Sequence, residues 1–278
     1  PDQGTSNGTV GSLAYDEYGY LYLCYATNKW TKFTGSKSFN PYARVLCHFD
    51  SIDGSSFVDS STYGVRIDSQ SGSATLSTAQ SKFGGASLRL NGGAVLLGYN
   101  GQNDLTSETP TLTSPWTVEM WVRFDDVAHT QPIFNTHRTT QIVNTWQISY
   151  IGSDDSATPG VYVRRMISGG EQWIIYPWSP SANTWYHLAV QLPLQDRTIW
   201  IDGQKVSTTP VAVDQYWPFQ AAYEGDSVVV SFDGARMGVD PTLSGAAQYM
   251  DGYIDEFRLS TVARYEDNFT PATSAFTR

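Results

Sequence analysis

Aromatic side chains in two loop-like stretches are the groups of this chain best suited to contact something outside it. Residues 172–180 read Gln-Trp-Ile-Ile-Tyr-Pro-Trp-Ser-Pro and carry Trp173, Tyr176 and Trp178; residues 214–220 read Asp-Gln-Tyr-Trp-Pro-Phe-Gln and carry Tyr216 and Trp217. Flat rings of this kind stack on the C–H faces of sugars, cap a core near strand ends, or make protein contacts. Pro177 and Pro180 stiffen the backbone around Trp178 and should keep it from folding inward. Reactive constellations are scarce by comparison. His48, His129, His137 and His187 fit no zinc spacing, no serine stands in a nucleophile elbow, and there is no glycine-rich phosphate loop. His187 lies on the polar phase of a strand and reads as a surface or hydrogen-bonded imidazole. Asp255 is in phase with Tyr253, Phe257 and Leu259, so alternation aims a carboxylate along an apolar face. Such a group needs a partner: Arg44, Arg258 or backbone N–H donors would serve.

The elements that must position these groups are strands. In residues 117–124, Val118, Met120, Val122 and Phe124 alternate with Thr117, Glu119, Trp121 and Arg123, a period of two. Residues 186–192 place Tyr186, Leu188, Val190 and Leu192 opposite His187, Ala189 and Gln191. Residues 197–201 lead through Asp202-Gly203 into residues 204–206, and a two-residue Asp-Gly connection between β runs predicts a hairpin. Shorter runs at 45–49, 86–90, 94–99, 146–151, 161–167, 173–176, 228–232 and 253–259 complete the set. Many short strands punctuated by glycine and proline, with almost no helical periodicity, predict an all-β antiparallel sandwich or jelly roll. Long loops are expected at 52–64, 101–115, 153–160, 177–183 and 208–227.

Residues 8–34 read as a separate β-meander, with runs at 9–15, 20–26 and 29–33 divided by turn residues. So short a piece cannot bury enough surface to stand alone. It should pack on the main domain, on a neighbouring protein or on copies of itself, with residues 35–41 as a linker. Cys24 and Cys47 lie in apolar strand-like runs and read as buried free thiols.

Five segments together resemble the concanavalin A-like lectin/glucanase superfamily in its laminin-G-like jelly-roll branch. They are Leu-Cys-His-Phe-Asp at 46–50 with Phe-Val-Asp-Ser-Ser at 57–61; Lys-Phe-Gly-Gly-Ala-Ser-Leu at 82–88; Trp-Thr-Val-Glu-Met-Trp-Val-Arg-Phe at 116–124; Thr-Trp-Tyr-His-Leu-Ala-Val at 184–190 with the 201–203 hairpin; and Gly-Tyr-Ile-Asp-Glu-Phe-Arg-Leu-Ser at 252–260. The resemblance spans residues 43–278 and implies a jelly roll over 39–278, with residues 1–38 as an N-terminal β arm, anchor and linker. Glucan-cleaving members carry Glu-x-Asp-x-x-Glu on one strand, and retaining hydrolysis needs two carboxyls about 5 Å apart. Here only Glu224-Gly225-Asp226 begins such a run, Val229 replaces its final acid, and Glu119 is alone on its strand. The expectation is therefore no enzymatic activity. The resemblance favours carbohydrate as the partner of Trp173, Tyr176, Trp178, Tyr216 and Trp217. It also implies calcium at a sheet edge, with Asp50, Asp53, Asp59 and Asp255 as candidate ligands, although no contiguous calcium loop exists.

Residues 262–271 and 20–30 are similar to short pieces of tailed-bacteriophage structural proteins. They suggest a virion fibre, tail or capsid-decoration subunit on the particle surface. Its residues 1–38 would engage other virion proteins, its lectin-like domain would face host-surface polysaccharide, and it would form homo-oligomers. The alternatives are a secreted bacterial carbohydrate-binding module and a purely structural cementing protein. Seventeen Lys plus Arg against 27 Asp plus Glu give a formal charge of −10, which disfavours nucleic acid and other polyanions. No apolar run is long enough to span a membrane. Residues 1–4 (Pro-Asp-Gln-Gly) have neither the basic nor the apolar region of a signal peptide.

Overall fold

The computed structural model describes residues 9–15, 21–27, 29–32, 43–50, 57–61, 63–65, 67–71, 73–98, 116–136, 145–167, 170–192, 198–206, 212–213, 235–243 and 249–277. In chain order its strands begin with β1 (Leu13–Tyr15), β2 (Leu21–Ala26), β3 (Lys29–Lys32), β4 (Ala43–Cys47), β5 (Ile67–Ser71), β6 (Thr75–Ser77), β7 (Ser87–Asn91) and β8 (Ala94–Leu97). Then follow β9 (Trp116–Phe124), β10 (Gln131–Asn135), β11 (Thr145–Ile151), β12 (Gly160–Ile167), β13 (Gly170–Pro177) and β14 (Trp185–Leu192). The last are β15 (Thr198–Ile201), β16 (Gln204–Lys205), β17 (Ala212–Val213), β18 (Ala235–Met237) and β19 (Asp251–Ser260). Among the described residues there is no helix, and so none long and apolar enough to cross a membrane.

Among the described residues every pairing is antiparallel. The first sheet runs β17-β13-β12-β11-β10-β18-β8-β5 and the second β16-β15-β14-β9-β19-β7-β6, with β4 also pairing to β19. Their facing sides share one core. The first sheet supplies Val95, Leu97, Ile133, Trp146, Ile148, Val161, Val163 and Ile174; the second supplies Leu88, Val118, Met120, Val122, Phe124, Leu188, Val190 and Phe257. This is the antiparallel sandwich expected. The Asp-Gly hairpin is present too, with Asp202 and Gly203 both at positive φ, 49° and 73°, as a two-residue primed turn requires.

One expectation fails at β19, beside a strand β9 that is buried throughout. The core side of β9 packs between the sheets, and Thr117, Glu119 and Trp121 on the outer side are covered by residues 261–277. Tyr265 and Phe269 stack at 3.7 Å, Trp200 Nε1 donates to Asp267 O at 3.0 Å, and Phe269 N donates to Gly203 O at 2.9 Å. Asp255 should share a face with Phe257 and Leu259. A β-bulge between Asp255 and Arg258, with Glu256 at φ 53°, moves Asp255 to the outer side opposite Trp121 while Phe257 and Leu259 stay in the core.

Strands β1 to β3 form a sheet of their own. Cys24 is buried there with Tyr22, whereas Val10 and Leu13 are exposed. Cys24 and Cys47 are both buried free thiols, and burial pushes the Cys47 thiol up.

Candidate functional site

Strand register lines up one row of side chains on the outer side of the first sheet. Trp173 of β13 lies opposite Arg164 of β12, Arg164 opposite Gln147 of β11, and Gln147 opposite Asn135 of β10. Asn135 faces Arg236 of β18, Arg236 faces Leu96 of β8, and Leu96 faces Asp68 of β5. Directly opposed residues share a face. The turn after β18 closes over Gln147 and Arg164. Asp240 Oδ2 accepts from Gln147 Nε2 at 2.7 Å and from Arg164 Nη2 at 3.1 Å, and Thr242 Oγ1 accepts from Arg164 at 3.0 Å. At one end Trp173 is half-buried, its ring 6.0 Å from that of Tyr162. This pair presents aromatic surface beside a polar strip, the arrangement that recognises a sugar by stacking and hydrogen bonding.

The other aromatic candidates divide. Tyr176 is 4% exposed and belongs to the core. Trp178 also turns inward, against expectation: its ring meets Tyr186 at 5.3 Å, Tyr150 at 5.7 Å and Phe124 at 5.9 Å. The prolines steer the chain across the end of the sandwich, where an indole fills the space between the two sheets. Tyr216 and Trp217 lie outside the described residues. Alternation within 173–176 already separates Trp173 from Tyr176, whereas Arg164, Gln147 and Arg236 become neighbours only through long-range register, which no local spacing announces.

The calcium candidates also separate. Asp59 has both oxygens engaged, accepting from Leu46 N, Ser61 N, Ser61 Oγ and Val65 N at 2.6–2.8 Å, and so holds its own turn. Asp53 lies outside the described residues. Asp255 accepts from the backbone N–H groups of Lys82 at 2.7 Å, Phe83 at 3.1 Å and Glu256 at 2.9 Å, so backbone donors, not Arg44 or Arg258, are its partners. Burial nevertheless pushes its pKa up to about 7, with Glu256 and Asp50 adding repulsion. His48 Nδ1 lies 2.8 Å from Glu256 Oε2, and this bond raises the His48 pKa. Asp50 Oδ1 is buried with no hydrogen-bond partner, and its carboxylate occupies the space a Cβ on Gly84 would need. Phe49 and Glu256, both at positive φ, place left-handed backbone at this corner. It opens onto a cleft of about 270 Å³ lined by His48, Asp50, Phe57 and Leu76 among others. Asp50 thus fits a cation in donor type, but among the described residues no three His, Cys, Asp or Glu side chains are arranged to hold a metal ion.

Glu119 is fully buried under the C-terminal segment. Its Oε1 lies 2.8 Å from Arg258 Nε and 3.0 Å from Arg264 Nε; its Oε2 accepts from Tyr265 Oη at 2.5 Å and lies 3.4 Å from His187 Nε2. Burial pushes its carboxyl up, but Arg258, His187 and Arg264 outweigh that and hold it far below the usual range. His187 is thereby a buried network member, not a surface imidazole.

The family model of the Concanavalin A-like lectin/glucanases superfamily matches residues 97–268, more than half of the chain. The chain belongs to this superfamily. Similar solved structures include the binding domain of Paraclostridial Mosquitocidal Protein 1, with a TM-score of 0.54, 14% identity, and coverage of 80% of this chain and 49% of that one. A structure of botulinum neurotoxin type C, whose cell entry depends upon interaction with two ganglioside molecules, has a TM-score of 0.53 at 13% identity, covering 81% and 49%. The binding domain of botulinum neurotoxin DC in complex with rat synaptotagmin II has a TM-score of 0.54 at 12% identity, again covering 81% and 49%. The superfamily chain thus spans about half the length of these toxin domains, and the likeness is one of fold. No curated protein matches.

Proposed function

We propose that this superfamily member is a non-catalytic glycan-recognition module that receives saccharide on the outer side of the first sheet. The observation that carries the reading is the half-buried Trp173, paired with Tyr162 beside the polar row. Supporting it, Glu119 is held by Arg258 and Arg264 and Asp240 by Arg164, while Asp255, whose carboxyl burial raises to about 7, is enclosed on backbone N–H donors with no exposure to a substrate. A general acid needs a raised, accessible carboxyl, and Glu119 is the reverse. Glycan-binding relatives in fold, such as the ganglioside-dependent neurotoxin, are consistent with this use.

The test is glycan-array and calorimetric binding with wild type and Trp173→Ala, in calcium and in chelator. Loss of a stacking face is expected to weaken affinity about tenfold with thermal unfolding unchanged; flat responses from wild type in both buffers would refute the reading. The proposal includes calcium at the Asp50 corner, where Asp50 offers an unpartnered carboxylate oxygen and the ion would supply charge neutralisation beside Asp255 and Glu256. Binding and unfolding that are the same in calcium and chelator would remove it.

The proposal also places the module on a bacteriophage particle, displayed by residues 1–38 as a fibre, tail or decoration subunit. The supports are the sequence similarity of residues 20–30 and 262–271 to phage structural proteins and the exposed Val10 and Leu13 beside a sheet too small to stand alone. Immunogold labelling of purified particles is expected to mark their surface; label confined to culture supernatant would favour a secreted module instead.

A further inference from the structure

Arg236 stands mid-sheet in the same row as Trp173, between Asn135 of β10 and Leu96 of β8. It is 3% exposed. Neither cross-strand neighbour carries an opposite charge: Asn135 is neutral, with its Nδ2 donating to Val239 O, and Leu96 is apolar. Its Nε is buried without a hydrogen-bond partner, and among the described residues no carboxylate pairs with it. The contrast with Arg164 in the same row is direct, since Arg164 has Asp240, Gln147 and Thr242 around its guanidinium. Desolvation alone pulls the Arg236 pKa down, as expected of a buried cation with nothing opposite it. Uncompensated buried charge is among the least favourable arrangements a core can hold. An anion arriving from outside the chain would complete it.

We propose that Arg236 is the receptor for a carboxylate borne by the bound saccharide, so that the module selects acidic sugars of the uronate or sialate type over neutral ones. The inference rests on the glycan-recognition reading above and adds the ligand class. The guanidinium fork matches a planar carboxylate with two parallel hydrogen bonds. A densely charged polyanion is disfavoured because the whole chain carries −10, which repels it at long range. Trp173 and Arg236 lie four strand spacings apart on one face, roughly 19 Å. An oligosaccharide is therefore needed to engage both, and each contact can be lost without the other.

The experiment uses the full chain and four probes: oligosaccharides ending in glucuronate or in sialate, and the same two with the carboxyl reduced to an alcohol. Wild type is expected to bind at least one acid tenfold or more tighter than its reduced form. In Arg236→Met this preference should vanish while affinity for the reduced sugar is unchanged. The variant should unfold at the wild-type temperature or above, since an unpaired charge has been replaced by an apolar chain of similar length. Arg236→Lys, which keeps the charge but loses the fork, should retain part of the preference, and it serves if the methionine variant folds poorly. Equal wild-type affinity for acid and reduced sugars overturns the inference but leaves glycan recognition through Trp173 standing, as does a preference that survives Arg236→Met. No binding of any of the four probes overturns the inference, and a flat glycan array beside it overturns both.

Discussion

Glu119→Gln is expected to destabilise the protein by about 3–5 kcal/mol, because it leaves the buried Arg258 guanidinium and the partly buried Arg264 guanidinium without their anion. Glu119 is fully buried, and Arg258 Nε and Arg264 Nε both lie within 3.0 Å of its Oε1. The substitution preserves shape but keeps only one acceptor oxygen: with that oxygen held for Tyr265 Oη, an amide N–H donor turns toward the two arginine N–H groups, so the effect combines lost charge with a lost acceptor. It also fixes a pH dependence. The folded pKa of Glu119 lies below its unfolded value, so its contribution is fully present above the ordinary glutamate pKa of about 4.3 and declines as the pH falls below that. Wild type should therefore lose stability between about pH 4.3 and lower values through this group, while Glu119→Gln has no such contribution to lose. The gap between the two unfolding curves should be widest near neutrality and narrow in acid. Urea titrations at a series of pH values measure this. A variant as stable as wild type at neutral pH would show that the C-terminal plate is held by Trp200, Phe269 and the backbone contacts alone.

The sandwich and its hairpin are legible in the sequence because they rest on local signals: period-two apolar alternation and an Asp-Gly turn. What alternation does not reveal is what covers each outer side. The burial of Glu119 and His187 is not announced in sequence, because a single strand shows only which face a side chain takes, and it is residues 261–277, more than a hundred positions from Glu119, that cover them. Asp255 is misassigned for a different reason. One bulged residue inverts the phase of everything before it, and Glu256, a non-glycine residue at positive φ, gives no sign in sequence that it will hold the left-handed conformation. The polar row shows the third kind of limit. Its members are drawn from seven strands between Asp68 and Arg236, so only the closed register brings them together. Strands β5, β6, β10 and β18, short and without clean alternation, escape the pattern for the same reason: their neighbours, not their own residues, define them.

Trp178→Ala separates the aromatic residue that packs from the one that presents itself. Both tryptophans belong to one short stretch and both are candidates for sugar stacking on sequence grounds. The structure sends Trp178 between the sheets, against Phe124 and Tyr186 of the second sheet and Tyr150 of the first, and leaves Trp173 at the outer end of the polar row. Truncating a well-packed aromatic removes its transfer free energy and leaves a cavity, about 3–5 kcal/mol for a fully enclosed ring. Trp178 is only partly buried, so about 2–3 kcal/mol is expected. The urea midpoint should fall while saccharide affinity, measured at low denaturant where the variant is still folded, stays at the wild-type value. Trp173→Ala should do the opposite. A Trp178→Ala protein that unfolds at the wild-type midpoint but no longer binds sugar would move the recognition surface from the outer side of the first sheet to the end of the sandwich, and with it the position of any residue that reads the ligand.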